Sequence, residues 1–172
     1  MKLPIISGIA LFLTILASYG QEIKSVKIGT QVWMAKNLDI ETAGSKYYEN
    51  NPEMLKKYGR LYTWDAAKNS CPAGWHLPSQ SEWEELINKL GGEDVAAKEL
   101  KPGGSSGFNA LLAGLCSPGN FNLLGFYGTF WSSSNYDTDH AWYFYITSKA
   151  PNITSTFFSK YYSFSVRCIK NN

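Results

Sequence analysis

One stretch, CPAGWHLPSQSEWEELINKLGG at residues 71–92, constrains this chain more than any other. It spells a loop, a helix and a helix stop. Ser79 is placed as N-cap and Glu82 stands three residues later, the spacing of a capping box that satisfies free N–H groups of the first turn. Trp83, Leu86, Ile87 and Leu90 then recur at i, i+3, i+4 and i+7, a single apolar stripe, while Glu84, Glu85, Asn88 and Lys89 take the wet side. Gly91 and Gly92 stand where a helix ends in a left-handed residue. One apolar stripe needs a surface to pack on, and a sheet built from later segments supplies it. Cys71, just ahead of the helix, is available to staple it there.

Residues 26–28 and 31–34, around Gly29-Thr30, read as a short hairpin. Residues 39–57 are polar, with Gly44, Asn50, Asn51 and Pro52, and read mostly as loop. Residues 64–68 form a short helix, residues 93–100 hold one or two more helical turns, and PGGSSG at 102–107 is a flexible break. The second half changes character. Residues 109–113 are a short apolar run, and residues 114–129, rich in Gly and Asn, read as a long loop. Strands follow at 130–134, 142–147 and 154–158. Within 142–147, Trp142, Phe144 and Ile146 share one face, Tyr143 and Tyr145 the other. Residues 162–169 set Tyr162, Phe164, Val166 and Cys168 against Ser163, Ser165 and Arg167. Helices early and antiparallel strands late argue an α+β chain.

Residues 1–20 read as a secretory signal: Lys2 is the positive end, residues 3–16 are mostly apolar, and 17–20 are a small-residue exit. The apolar run is too short for a comfortable membrane span, and no cysteine follows it for lipid attachment. The expectation is therefore a secreted, periplasmic or cell-surface protein, not a lipoprotein, with one domain over residues 21–172 and no membrane span once the signal is removed. A net charge of +2 with scattered lysines excludes nucleic-acid binding. Aromatic residues, at 15%, nearly match the charged residues at 17%, which describes a compact Tyr- and Trp-rich exported domain. An exported domain keeps disulfides, and Cys71, Cys116 and Cys168 allow one internal pair with one left over. A bridge from Cys71 to Cys168, on the apolar face of the last strand, would pin the helix there. In the chain-entropy model a closure of that length is worth about 4–5 kcal/mol.

GTQVWMAKNL at 29–38, YGRLYTWDAA at 58–67, CPAGWHLPSQSEWEEL at 71–86, FWSSS at 130–134 and SVRCIK at 165–170 together resemble the Fibrobacter succinogenes major paralogous domain over almost all of the mature chain. That family is similar to the C-type lectin-like superfamily, and the Cys71 to Ser79 segment and the Arg167-Cys168 pair fit the relation. The resemblance implies a C-type lectin-like α+β fold: an antiparallel sheet, one or two helices, long loops, both termini in one sheet, and a Cys71–Cys168 disulfide. It implies export in a bacterium and no particular activity. The Glu-Pro-Asn or Gln-Pro-Asp and Trp-Asn-Asp triplets of calcium-dependent sugar sites do not occur, so calcium-mediated chelation is not expected. The paired-cysteine oxidation of a related branch is not expected either, because Cys168 goes to the staple and Cys116 has no partner.

Trp75, His76, Trp83, Trp131 and Trp142 invite comparison with a sugar platform, but aromatics dominate small cores and packing is the stronger reading. His76 and His140 have no zinc-like spacing. Asn135, Asp137 and Asp139 sit on one turn. Their oxygens fall well short of the 6–8 ligands calcium takes, and Asn and Asp favour turns on their own account. Cys116, in GLCSPG, reads as a protected thiol. The 114–129 segment, with Asn120, Asn122 and Tyr127, is the best remaining place for a ligand, because loops on a rigid scaffold carry function.

The expectation is an exported, non-catalytic binding module of a bacterial cell envelope, with a polysaccharide or cell-surface protein as partner. Its ligand-binding residues are Asn120, Asn122, Tyr127, Asn135, Asp137 and Asp139, with no metal and no cofactor. The alternatives are a structural or assembly protein of the cell surface, and a thiol-dependent enzyme centred on Cys116.

Overall fold

The computed structural model describes residues 23–172, so the expected signal at 1–20 lies outside the described residues. In chain order the elements are β1 (Ser25–Ile28), β2 (Gln31–Met34), β3 (Ser45–Lys46), a 3-10 turn at Tyr48–Asn50, α1 (Pro52–Tyr58), β4 (Leu61–Thr63), α2 (Trp64–Lys68), β5 (Trp75–His76), α3 (Gln80–Lys89), α4 (Glu93–Leu100), β6 (Leu115–Ser117), β7 (Asn120–Asn122), β8 (Tyr127–Asn135), β9 (His140–Thr147), β10 (Thr154–Ser159), β11 (Ser163–Ser165) and β12 (Ile169–Lys170). The arrangement is mixed α+β. A four-stranded sheet runs β1-β2-β12-β5 and so holds both ends of the described chain. A larger sheet runs β10-β9-β8-β11-β4-β3, with the β6–β7 hairpin attached beside β11. The strand pairs are antiparallel except β8 with β11, where Ser165 lies beside Phe130.

The capped helix forms as its signals require. Ser79 Oγ accepts the Glu82 N–H, and Glu82 Oε2 accepts the Ser79 N–H at 2.7 Å. Its stripe buries Trp83, Leu86 and Ile87. Trp83 meets Trp33 at 4.8 Å, Phe144 at 5.2 Å and Phe130 at 5.7 Å between ring centroids, so α3 is seated on β2, β8 and β9 at once. The first hairpin turns at Gly29, whose φ of 63° suits glycine. Cys71 and Cys168 are bonded, with Cα atoms 6.0 Å apart.

Three segments differ from the sequence reading. Residues 39–57 hold a helix, α1, where a loop was expected. Asn51 caps it by accepting the Glu53 N–H and Pro52 opens it, but it buries no residue and so shows no apolar stripe. Residues 114–129 are no long loop: β6 and β7 form a hairpin, and Tyr127 already belongs to β8. Residues 162–169 are two strands in two sheets, because the chain leaves β11 in the large sheet and enters β12 in the small one. Neither alternate set of that segment faces water, since Ser163, Ser165 and Arg167 are buried.

Arg167 is fully buried, and among the described residues no carboxylate pairs with it. Its guanidinium instead donates to the backbone oxygens of Met34, Phe108 and Asn109 and to Asn37 Oδ1, and lies 4.2 Å from the Phe108 ring centroid. Burial draws its pKa down to about 9. Carbonyl dipoles and a π face replace the counter-ion that a buried cation needs.

Candidate functional site

Side chains alternate between the two faces of β8 and β9. On one face Phe130 stands opposite Phe144 and Gly128 opposite Ile146, and α3 covers them. On the other face Tyr127 stands opposite Thr147, Thr129 opposite Tyr145 and Trp131 opposite Tyr143. α2 packs on this second face at its Trp131 end, where Trp64 and Ala67 join Trp131 in one buried cluster. That end is closed, with Trp131 stacking on Phe164 at 4.2 Å and donating its indole N–H to the Tyr62 carbonyl at 2.8 Å, and Thr129 and Thr147 on the same face are buried as well.

The remainder of that face is a row of tyrosines. Tyr127 stacks on Tyr145 at 5.7 Å and 30°, and Tyr145 on Tyr143 at 5.6 Å and 25°. All three are half-buried. β10 places Thr154 beside Tyr145, Thr156 beside Tyr143 and the exposed Phe158 beside Ala141. None of the residues on this face of the three strands carries a charge. Burial, reinforced by the neighbouring Tyr145 and Tyr127 phenols, pushes the Tyr143 phenol up to about 12, so it stays neutral at any physiological pH. The face therefore offers aromatic planes, neutral phenols and threonine hydroxyls, which is chemistry for an uncharged polyhydroxylated ligand.

Of the residues expected to bind a ligand, Tyr127 opens this row. Asn120 and Asn122 are exposed on β7, and Asn122 Nδ2 is bonded to Ser117 Oγ and the Asn120 carbonyl, which closes the β6–β7 turn. Asn135, Asp137 and Asp139 stand at the far end of β8. Eight strand steps from Tyr127 to Asn135 are about 26 Å, so the two groups do not form one site. Asp137 Oδ1 accepts the backbone N–H groups of Asp139 and His140, both at 2.8 Å, and contacts His140 Nδ1 at 2.9 Å. Desolvation pushes the Asp137 carboxyl up, but the hydrogen bonds from His140 and the turn outweigh it and hold the carboxyl below its usual range. Lys160 Nζ donates to the carbonyls of Asp137 and Thr138. The turn is thus closed on itself above a polar pocket of about 210 Å³ lined by Thr63, Asp65, Thr138, Asp139, Lys160 and Tyr161. Among the described residues no three His, Cys, Asp or Glu side chains converge on a metal position.

The other candidates resolve into packing. Trp83 and Trp131 are fully buried. His76 joins Glu82 at 2.8 Å and Asn171 at 2.7 Å, tying the α3 cap to the end of the chain. Cys116 is buried, and burial raises its pKa, which disfavours the thiolate a nucleophile needs. The sequence had already placed Tyr143 and Tyr145 together on one face of a strand. What it could not show is which face α3 covers.

The Fibrobacter succinogenes major domain profile matches residues 26–170. No curated protein and no solved structure matches the chain.

Proposed function

The chain belongs to the Fibrobacter succinogenes major domain family, and from that premise we propose that it is an exported, non-catalytic module of a bacterial cell envelope that binds carbohydrate on the open face of β8, β9 and β10. The observation that carries this reading is the Tyr127–Tyr145–Tyr143 row, uncharged and flanked by threonines. A sugar ring presents C–H groups on its flat faces and hydroxyls around its rim. Half-buried phenols meet both, the ring by stacking and the rim by hydrogen bonding, with little rotamer freedom left to lose. No ion is needed in this mode, which agrees with the missing calcium triplets.

A C-type lectin-like fold is part of the same proposal. It is supported by the joining of both ends of the described residues in one sheet and by the Cys71–Cys168 bridge. The proposed site lies on a sheet face, and of the 114–129 segment it takes Tyr127.

The test is a panel of neutral and acidic polysaccharides, run with and without chelator, on wild type and Tyr145→Ala. The expected result is chelator-insensitive binding to a neutral glycan, weakened by the substitution. Binding no greater than that of an unfolded control, or binding indifferent to Tyr145→Ala, would sink the reading.

A further inference from the structure

We propose that β10 is the seam of a symmetric dimer, in which two copies of this chain pair antiparallel along Thr154–Ser159 and join their large sheets into one. β10 is the outermost strand of its sheet and pairs along all six residues with β9. Among the described residues no strand pairs with its other side. Such an edge presents a row of free N–H and C=O groups, and proteins ordinarily guard it by shortening, charging or covering the strand.

The other sheet edges of this chain are guarded in that way. β3 and β5 have two residues each, β7 has three, and β1 carries Lys27 with Lys24 just ahead of it. β10 reads TSTFFS: no charge, no proline, and two exposed phenylalanines on opposite faces. It is also held ready for pairing. The Ile153 N–H is bonded to the Glu93 carbonyl at one end and the Lys160 N–H to the Asp139 carbonyl at the other. Phe157 is stacked on Tyr136 at 3.7 Å and 4°.

A second copy fits this edge on electrostatic grounds. Antiparallel pairing about a two-fold axis sets Lys160, the charged residue next to β10, toward the start of the partner's strand, where the exposed Glu93 is bonded through its carbonyl to the Ile153 N–H, and away from its own equivalent. An isologous contact of this kind closes at two copies. In an antiparallel pair that axis runs perpendicular to the sheet, so the tyrosine faces of both copies lie on the same side. If the carbohydrate reading holds, the dimer presents a polymer with a platform of twice the length and binds it with avidity.

The test is sedimentation equilibrium of the mature chain with its disulfide intact, over a wide concentration range. The expected result is a mass rising from one copy to two. Ser155→Lys, on the face away from the tyrosines, puts two like charges near the seam and raises the dimer dissociation constant by about tenfold or more, while Ser155→Thr leaves it unchanged. Near-UV circular dichroism checks that the variants are folded, and Thr156→Lys serves as a second variant if Ser155→Lys is not. A single-copy mass at every concentration, growth beyond two copies, or a dimer indifferent to a folded lysine variant would overturn the seam. A dimer that binds no glycan leaves the seam standing and removes only the carbohydrate reading.

Discussion

β8 and β9 carry aromatic side chains on both faces, and the two faces differ by a hydroxyl. Under α3 the pair is Phe130 and Phe144, each 1% exposed. On the open side the row is Tyr127, Tyr145 and Tyr143. The backbone is shared, so the difference comes from what lies above each face. Beneath a helix a phenol would lose its water and find no partner, at a cost of roughly 1–3 kcal/mol. On a face that still meets solvent the same hydroxyl loses only part of its hydration, as the half-buried Tyr127, Tyr143 and Tyr145 do. Trp131 marks the boundary: it is fully buried on the open side, and its N–H is satisfied by the Tyr62 carbonyl. Trp83 departs from the pattern, because its indole N–H is buried on the covered side with no acceptor among the described residues.

The largest effect tests the covered face. Trp83→Ala is expected to cost about 3–5 kcal/mol in urea unfolding, because the cavity lies where β2, β8, β9 and α3 meet. Trp83→Phe is expected to cost far less, since it keeps a ring in place and removes the unpaired donor. If the two substitutions cost the same, ring packing is not what holds that face, and the contrast fails.

The open face is tested by affinity. Tyr145→Ala is expected to weaken glycan binding by about tenfold, near 1.4 kcal/mol, while the urea midpoint moves much less than for Trp83→Ala. Substitutions there should separate binding from stability, whereas those under α3 should not. A Tyr145→Ala variant that unfolds as readily as Trp83→Ala would mean that the tyrosine row is core.

How far each face was legible follows from the range of the interactions that make it. The α3 cap and stripe lie within a dozen residues, so helix, cap and stop all come from local rules. The alternation of 142–147 likewise separates Phe144 from Tyr145. Coverage is a different matter, because it depends on a helix more than fifty residues earlier landing on one side. The misread segments share this cause. α1 buries nothing, so it has a cap but no stripe. Arg167 sits on the polar half of an alternating run, yet it is buried because distant carbonyls of Met34 and Phe108 turn toward it. Asn135, Asp137 and Asp139 follow turn chemistry, and that chemistry explains their contacts without a ligand.

The covering helix can also be loosened from its end. Ser79→Ala removes the cap and is expected to cost about 1 kcal/mol. Glu82 adds a pH signature. Burial pushes its carboxyl up, but hydrogen bonds from the Ser79 backbone, His76 and Ser79 Oγ prevail and hold the folded pKa below the ordinary 4.5. The folded state therefore favours the carboxylate. That stabilisation is present above pH 4.5 and is lost as pH falls through the lower folded value. Urea midpoints measured down the acid range should fall less steeply for Glu82→Gln than for wild type. Parallel curves would show that the capping box does not secure α3.

The smallest effect belongs to the open face and has the opposite sign with pH. The Tyr143 phenol is raised from 10 in the unfolded chain to about 12 in the fold, first by burial and then by the phenols of Tyr145 and Tyr127. The fold favours its neutral form. That contribution is complete below pH 10 and is lost as pH rises toward 12. Tyr143→Phe is expected to change stability at neutral pH by only about 0.5 kcal/mol, the scale of a substitution outside the core. In alkali the wild type should lose stability faster than the variant, because only the wild type must keep that proton. The hydroxyl should also contribute to glycan affinity up to pH 10, measured as the difference between wild type and Tyr143→Phe. If the alkaline limbs of the two proteins superpose, the phenol is already free in water. The open face would then be exposed tyrosines without a shared environment, and the hydroxyl that separates it from the covered face would carry no binding energy.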